Sequence, residues 1–328
     1  MNRSGKVTNV GWTRRREVRA QGRARVTIGV PVFNGAGHLE PCLESLIAQT
    51  YDDLEILISD NASTDRTPEI CRAFCDRDER ISYCRQPSNI GAAANYNFLA
   101  RNAVGQLFKW AAHDDVCAPK MVERCVDALD LSPTDVLAFP KTAFIDGTGE
   151  LLSGFDVPIM WTNRRSALGR LDEYFAVSGA AIGHLCTRQF GVVRREMLLR
   201  TGLIRSHPAS DLVMLAELTL LGGFVEVEEY LFFSRIHQGS SIRANATAAD
   251  LARWYDPDHR GHHPMSWTRV LAGYGSAVLR SSLPLPQKVA GMGLVARWFA
   301  FDENWRVIGG ELKRRAIEIV RGEQTWAT

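Results

Sequence analysis

No uninterrupted apolar run in this sequence approaches the roughly 18 residues needed for a membrane-spanning helix, so none is expected. There is no C-x-x-C pair, and the seven cysteines are odd in number. None has a histidine partner at finger spacing. Reduced thiols are therefore expected, rather than zinc ligands or a disulfide framework. A phosphate-binding P-loop is missing. Gly35-x-Gly37 begins a dinucleotide fingerprint, but Glu40 stands where the third glycine belongs, so a Rossmann cofactor site has little support. No internal repeat is visible, and overall charge is nearly balanced at +2 over 328 residues.

That balance is uneven along the chain. Residues 1–25 carry eight Lys/Arg against one Glu, and the remainder carries 31 against 36 acids. The basic excess sits in a segment poor in apolar residues, which reads as a disordered tail over residues 1–24. Arg14-Arg15-Arg16 has no apolar run after it, so a signal peptide is not expected. A solvated arm and an arm touching anionic lipid both fit this composition. The acidic body argues against nucleic acid as a partner.

From residue 26 onward, apolar strands alternate with helical periodicity. Val26–Val32, Leu54–Ser59, Ile81–Arg85, Leu107–Ala112 and Val136–Phe139 read as buried strands. Between them, Leu39 to Ile47, a stretch opening at Thr67-Pro68, and Ala92 to Ala103 read as helices. This alternation predicts an α/β fold with a mostly parallel sheet covered on both faces. The pattern weakens over residues 153–208, where Trp161, Tyr174, Phe175, His184 and Phe190 lie among basic residues. A helix resumes at Asp211 and ends at Gly222-Gly223, and two strands follow, Phe224–Val227 and Tyr230–Ser234. Beyond about residue 247 the chain reads as amphipathic helices that interleave basic and aromatic residues. Such a face packs on the body or lies on a membrane surface.

Polar residues gather where these strands end. Asp114 and Asp115 follow the fourth strand, with Pro119 at the first helical position beyond them. Ligands of open α/β sheets bind at the carboxyl ends of strands. Adjacent carboxylates need a cation or donors to offset their repulsion, and a divalent ion carrying phosphate oxygens would supply that. An acidic turn capping the next helix fits the same residues. Asp60 could equally form an Asx-turn, Asp211 an N-cap, and His237 a surface imidazole. His184, His207, His259, His262 and His263 show no metal-ligand spacing.

Four motifs change the balance. Val30-Pro31-Val32-Phe33-Asn34, Ser59-Asp60-Asn61-Ala62-Ser63-Thr64-Asp65, Asn89-Ile90-Gly91 and His113-Asp114-Asp115 occur in this order. Across residues 25–240 the chain resembles bacterial family 2 glycosyltransferases, and Ser210-Asp211 and His237 extend the match. The resemblance implies a GT-A (Rossmann-like) fold over 25–240, with 241–328 as a helical C-terminal extension. It implies an inverting, metal-dependent transfer of sugar from a nucleotide-diphosphate donor, with Mn²⁺ or Mg²⁺ as cofactor. The acceptor would be a cell-envelope glycan, a lipid-linked or a small-molecule hydroxyl, reached in the cytoplasm or on the inner membrane face. Pro31, Phe33, Asn34, Asp60, Asn89 and Asp114 would bind the nucleotide. Asp115 and His237 would hold the metal, and Asp211 would be the catalytic base. Two positions depart from the family pattern: Ala112 and His113 precede the acidic pair where a first Asp is usual, and Ala94 stands where an Arg is frequent. The missing acid keeps open a nucleotide-sugar-binding protein without catalysis. A sugar nucleotidyltransferase is a third reading, disfavoured by the absence of a Gly-rich basic loop near the start.

Overall fold

The structure is a computed structural model that describes residues 11–13, 24–152, 164–177, 185–240, 244–245, 247–259, 265–301 and 304–320. Most of the basic N-terminal tail, with Trp161, His184, His262 and His263, lies outside the described residues.

Eight strands form one sheet in the order β3-β2-β1-β4-β7-β6-β8-β5. They are β1 (Val26–Val32), β2 (Leu54–Asp60), β3 (Ile81–Arg85), β4 (Leu107–Trp110), β5 (Val116–Cys117), β6 (Asp135–Ile145), β7 (Val192–Arg194) and β8 (Gly223–Arg235). The pairings of β1 with β2 and β4, β2 with β3, and β6 with β8 are parallel. β7 bridges the two parallel groups, antiparallel to both β4 and β6, and β5 runs against β8. Strands β1, β2, β3, β4, β6 and β8 therefore share one direction. Their carboxyl tips, from Val32 to Arg235, line a single edge of the sheet.

Helices cover both faces, as expected for a sheet whose strands are apolar on both sides. On one face lie α1 (Leu39–Ile47), α2 (Thr67–Arg77) and α4 (Met121–Leu131), with Leu43, Leu46, Phe74, Val122 and Leu129 in the core. On the other lie α3 (Ala92–Asn102), α5 (Ala167–Phe175) and α7 (Ser210–Leu221). The short α6 (Arg195–Leu199) adds Leu198 to that second core. Gly29 lets α3 approach β1, since a Cβ there would meet Leu99 and Phe108 at 3.0 Å. Residues 210–219 of α7 are all buried, because α9 (Ser266–Arg280) closes over it. The chain then adds α10 (Leu285–Ala300) and α11 (Asn304–Val320); α8 (Ala248–Tyr255) precedes α9. Val270, Tyr274, Val295, Trp298 and Ile308 of these helices join the same core as α7. Among the described residues, no helix is long and apolar enough to cross a membrane.

Three elements differ from expectation. The two strands expected at 224–227 and 230–234 are one strand, β8. Its register against β6 shifts around Pro140–Thr142, so Glu228 and Glu229 project from a bulge without ending the strand. Pro119 stands two residues before α4, because Ala118 donates to Leu231 and β5 intervenes. β7 occupies only three residues of the weakly patterned stretch, too few for periodicity to register.

Candidate active site

Loops at the carboxyl edge are laced together by side chains. Asn34 adopts φ 50°, and its N–H donates to Ser63 Oγ at 2.9 Å. Asn34 Oδ1 accepts from the Thr64 N–H at 2.8 Å. The Ala36 N–H reaches Asp65 at 3.0 Å. Asn61 joins a third loop, donating to Asn89 Oδ1 and accepting from the Ile90 N–H. Phe33, Asn34 and Asn89 are exposed at the rim. Pro31 is enclosed within β1, beside Ser59.

Asp60, the expected partner of the base, is held by the protein itself. Its side chain is 0% exposed. One oxygen accepts from the Ser63 N–H and the other from Tyr83 OH, each at 2.8 Å. In this conformation its carboxylate shapes the 60–65 turn, and no oxygen faces outward.

The acidic pair splits into two environments. Asp115 points inward and accepts from the Arg235 N–H at 2.8 Å. Burial first, then the Asp114 charge, pushes its carboxyl up to about 8, against the hydrogen bonds from Arg235 and Ser234. Asp114 faces the opening instead. Burial raises its carboxyl, but His113 and His237 outweigh burial and hold it below the usual range. His237 Nε2 lies 2.9 Å from Asp114 Oδ2. Asp115 and His237 are the two expected metal holders; in the structure His237 meets Asp114, and Asp115 is engaged by β8. Neither carboxylate caps α4.

Other histidines crowd this pair. The His38 ring packs edge-on against His237 with centroids 4.3 Å apart. Burial, then the His237 and Arg235 charges, lowers His38. His113 presses on the chain entering α1: a Cβ on Gly35 would lie 2.6 Å from its ring. Arg235 fixes the backbone here, with Nε on the Asp114 carbonyl at 2.8 Å and Nη1 on the Asp146 carbonyl at 2.9 Å.

No group of three or more metal-ligating side chains is preassembled among the described residues. The Asp114–His237 pair nevertheless suits one ion. Two donors bound at about 2.1 Å and at right angles lie about 3 Å apart, close to the spacing seen.

Asp211 stands in the first turn of α7, whose amino end returns to the same edge before the chain re-enters the sheet as β8. Burial raises its carboxyl, and hydrogen bonds from Cys186 and the nearby backbone offset only part of that rise. Gln189 Nε2 approaches Oδ2 at 3.4 Å. The Tyr96 phenol, on α3, is raised by burial and then by the charges of Asp114, Asp115 and Asp211. Asn97 exchanges two hydrogen bonds with Ile204, at 2.7 and 3.0 Å, fixing the approach to α7 over α3. Tyr96, Asn97 and Arg235 escaped the sequence reading. Only Arg235, two residues before His237, carried a positional hint.

A doubly covered, mostly parallel sheet with this acidic carboxyl edge defines a GT-A glycosyltransferase fold. Staphylococcus aureus TarS (residues 1–349) shares it, with a TM-score of 0.60 at 15% identity over 85% of this chain and 72% of that one. An uncharacterized glycosyltransferase of Rickettsia typhi is 32% identical over 123 residues. Glycosyltransferase GlyA of Streptococcus pneumoniae is 37% identical over 99 residues. These matches cover 37% and 30% of this chain, and 37% and 14% of the respective relatives. The chain thus spans little more than a third of the length of these relatives, or less. The glycosyl transferase family 2 model matches residues 27–194, and the chain belongs to that family.

Proposed function

We propose that this chain transfers a sugar from a nucleoside-diphosphate donor to an acceptor hydroxyl, with inversion at the anomeric carbon. The observation that carries this reading is the Asp114–His237 pair on the carboxyl edge, with Asp211 in the first turn of α7 at the same edge. TarS has been solved with UDP and with UDP-GlcNAc, which supports a nucleotide sugar as donor. Phe33, Asn34 and Asn89 would line the nucleotide pocket, with Pro31 and Asp60 setting its walls from within.

Asp114 and His237 would hold a divalent ion, and Asp115 would buttress Asp114 from behind. Such an ion supplies Lewis-acid neutralisation of a diphosphate leaving group. Asp211 accepts the proton of the attacking hydroxyl. Its raised affinity for protons suits that role, since a base works best with its pKa near the working pH. One displacement by the acceptor inverts the sugar carbon. All seven cysteines are free, which suits a reducing, cytoplasmic setting.

The test is transfer or donor hydrolysis across a panel of nucleotide sugars with Mn²⁺ or Mg²⁺. Turnover that disappears in Asp211→Asn supports the proposal. Nucleotide binding with no turnover would support the non-catalytic reading, which the Ala112 departure motivates. Membership of family 2 removes the footing of a nucleotidyltransferase.

A further inference from the structure

Helix α10 is apolar on two opposite faces. Its inner face buries Gly291, Val295 and Trp298 in the core. Its outer face carries Leu285, Val289, Met292, Gly293, Ala296 and Ala300, spaced to form one stripe. Leu285 is 75% exposed and Val289 66%. Phe301, Trp305 and Leu312 continue this apolar surface into α11, each about half exposed. A second apolar face on a helix that already buries one needs a partner of its own, yet this one lies at the surface.

Charge states what it would meet. Lys288 lies beside the stripe on α10, and Arg306, Lys313 and Arg314 are exposed on α11. Among the described side chains of α10 and α11 the only carboxylate is Glu311. It is buried and accepts from the Trp267 and Thr268 N–H groups at the start of α9. Arg297 pairs with Asp172, and the remaining charge on the described outward side chains of the two helices is cationic. An apolar stripe bordered by cations and large aromatics matches an interfacial helix on anionic lipid.

We propose that the outer face of α10 and the first half of α11 dock on an anionic phospholipid bilayer. The inner face of α10 leads back to the candidate active site. Trp298 meets Tyr274 of α9 edge-on at 4.9 Å, and α9 packs on α7, which carries Asp211. Helix α9 thus lies between the docking helix and the helix of the proposed base. If the reading of Asp211 holds, an acceptor anchored in the bilayer approaches from the correct side. Docking itself does not depend on that reading, and its test requires no turnover.

The full chain is floated with vesicles of phosphatidylcholine alone or mixed with phosphatidylglycerol, at low salt and at about 0.5 M salt. The expected result is binding to the mixed vesicles, weakened at least tenfold without phosphatidylglycerol or at high salt. The double variants Leu285→Asp/Val289→Asp and Lys313→Glu/Arg314→Glu should each lose binding while keeping the wild-type Tm, because all four side chains are exposed. Brominated phosphatidylglycerol should quench tryptophan fluorescence, and Trp305→Phe should remove most of that quenching. Failure of the wild type to float, or flotation that neither double variant diminishes, overturns the proposal. So does a dimer in light scattering that Leu285→Asp/Val289→Asp dissolves, since a second copy would then own the face.

Discussion

His237 Nε2 sits 2.9 Å from Asp114 Oδ2, and the adjacent Asp115 turns away to accept the Arg235 N–H. Two neighbouring carboxylates thus do different work. One is held ionised at the opening, while the other is buried and inclined to keep its proton. Asp114→Ala is therefore expected to weaken Mn²⁺ binding by more than about a hundredfold, exceeding the 10- to 100-fold typical of losing an outer-shell partner. His237→Ala should also lose most binding. Titration calorimetry reads both.

Asp211 gives a prediction about pH. Its carboxyl is raised by burial, so the acid limb of the pH–rate profile should lie above the ordinary carboxylate range near 4. Activity should fall as pH drops through that raised value, because the base must be unprotonated. Asp211→Asn should cost about 10²–10⁴ in transfer. Linkage sets the sign for stability. A carboxyl raised in the folded state favours folding most at low pH, and that contribution is lost as pH rises through the folded value. Asp211→Asn should accordingly keep or increase the Tm at pH 8, as differential scanning fluorimetry will show.

Asp60 accepts from the Ser63 N–H and Tyr83 OH with no exposure to solvent. Asp60→Ala leaves both donors buried without their partner, a loss of about 1–3 kcal/mol for each unsatisfied group. Tyr83→Phe removes one donor and should cost less than Asp60→Ala. Urea unfolding distinguishes the two.

Gly91 has φ +81°, and a Cβ there would lie 2.5 Å from the Tyr255 carbonyl oxygen. Gly91→Ala should destabilise by about 1–3 kcal/mol from backbone strain, with the clash adding to it. Because that clash is with backbone, the end of α8 must move. Hydrogen exchange at residues 252–256 should rise in the variant.

Much of the parallel sheet was legible, because its strands are short apolar runs punctuated by polar turns. β1 and β3 fall where periodicity placed them, α1 follows the face of Leu39, Leu43 and Leu46, α2 opens at Thr67-Pro68, and α3 follows Asn89-Ile90-Gly91. β5 and β7 are two and three residues long, below what a period-2 pattern can announce. The motifs gather at the carboxyl edge of the sheet, but adjacency could not say which of Asp114 and Asp115 stays partly exposed. That choice is made by β8, whose Arg235 lies 120 positions further along the chain. Tyr96 carried no local signal either, since the charges that act on its phenol come from Asp114, Asp115 and Asp211, far from it along the chain.

The central claim is that Asp114 and His237 hold the cation that carries the donor's diphosphate. Mn²⁺ bound in the presence of a nucleoside diphosphate can be counted by electron paramagnetic resonance in the wild type, Asp114→Ala and Asp115→Asn. The account predicts binding by the wild type and by Asp115→Asn, whose amide replaces a largely protonated acid, and none by Asp114→Ala. Wild-type binding by Asp114→Ala, with loss in Asp115→Asn, would contradict it.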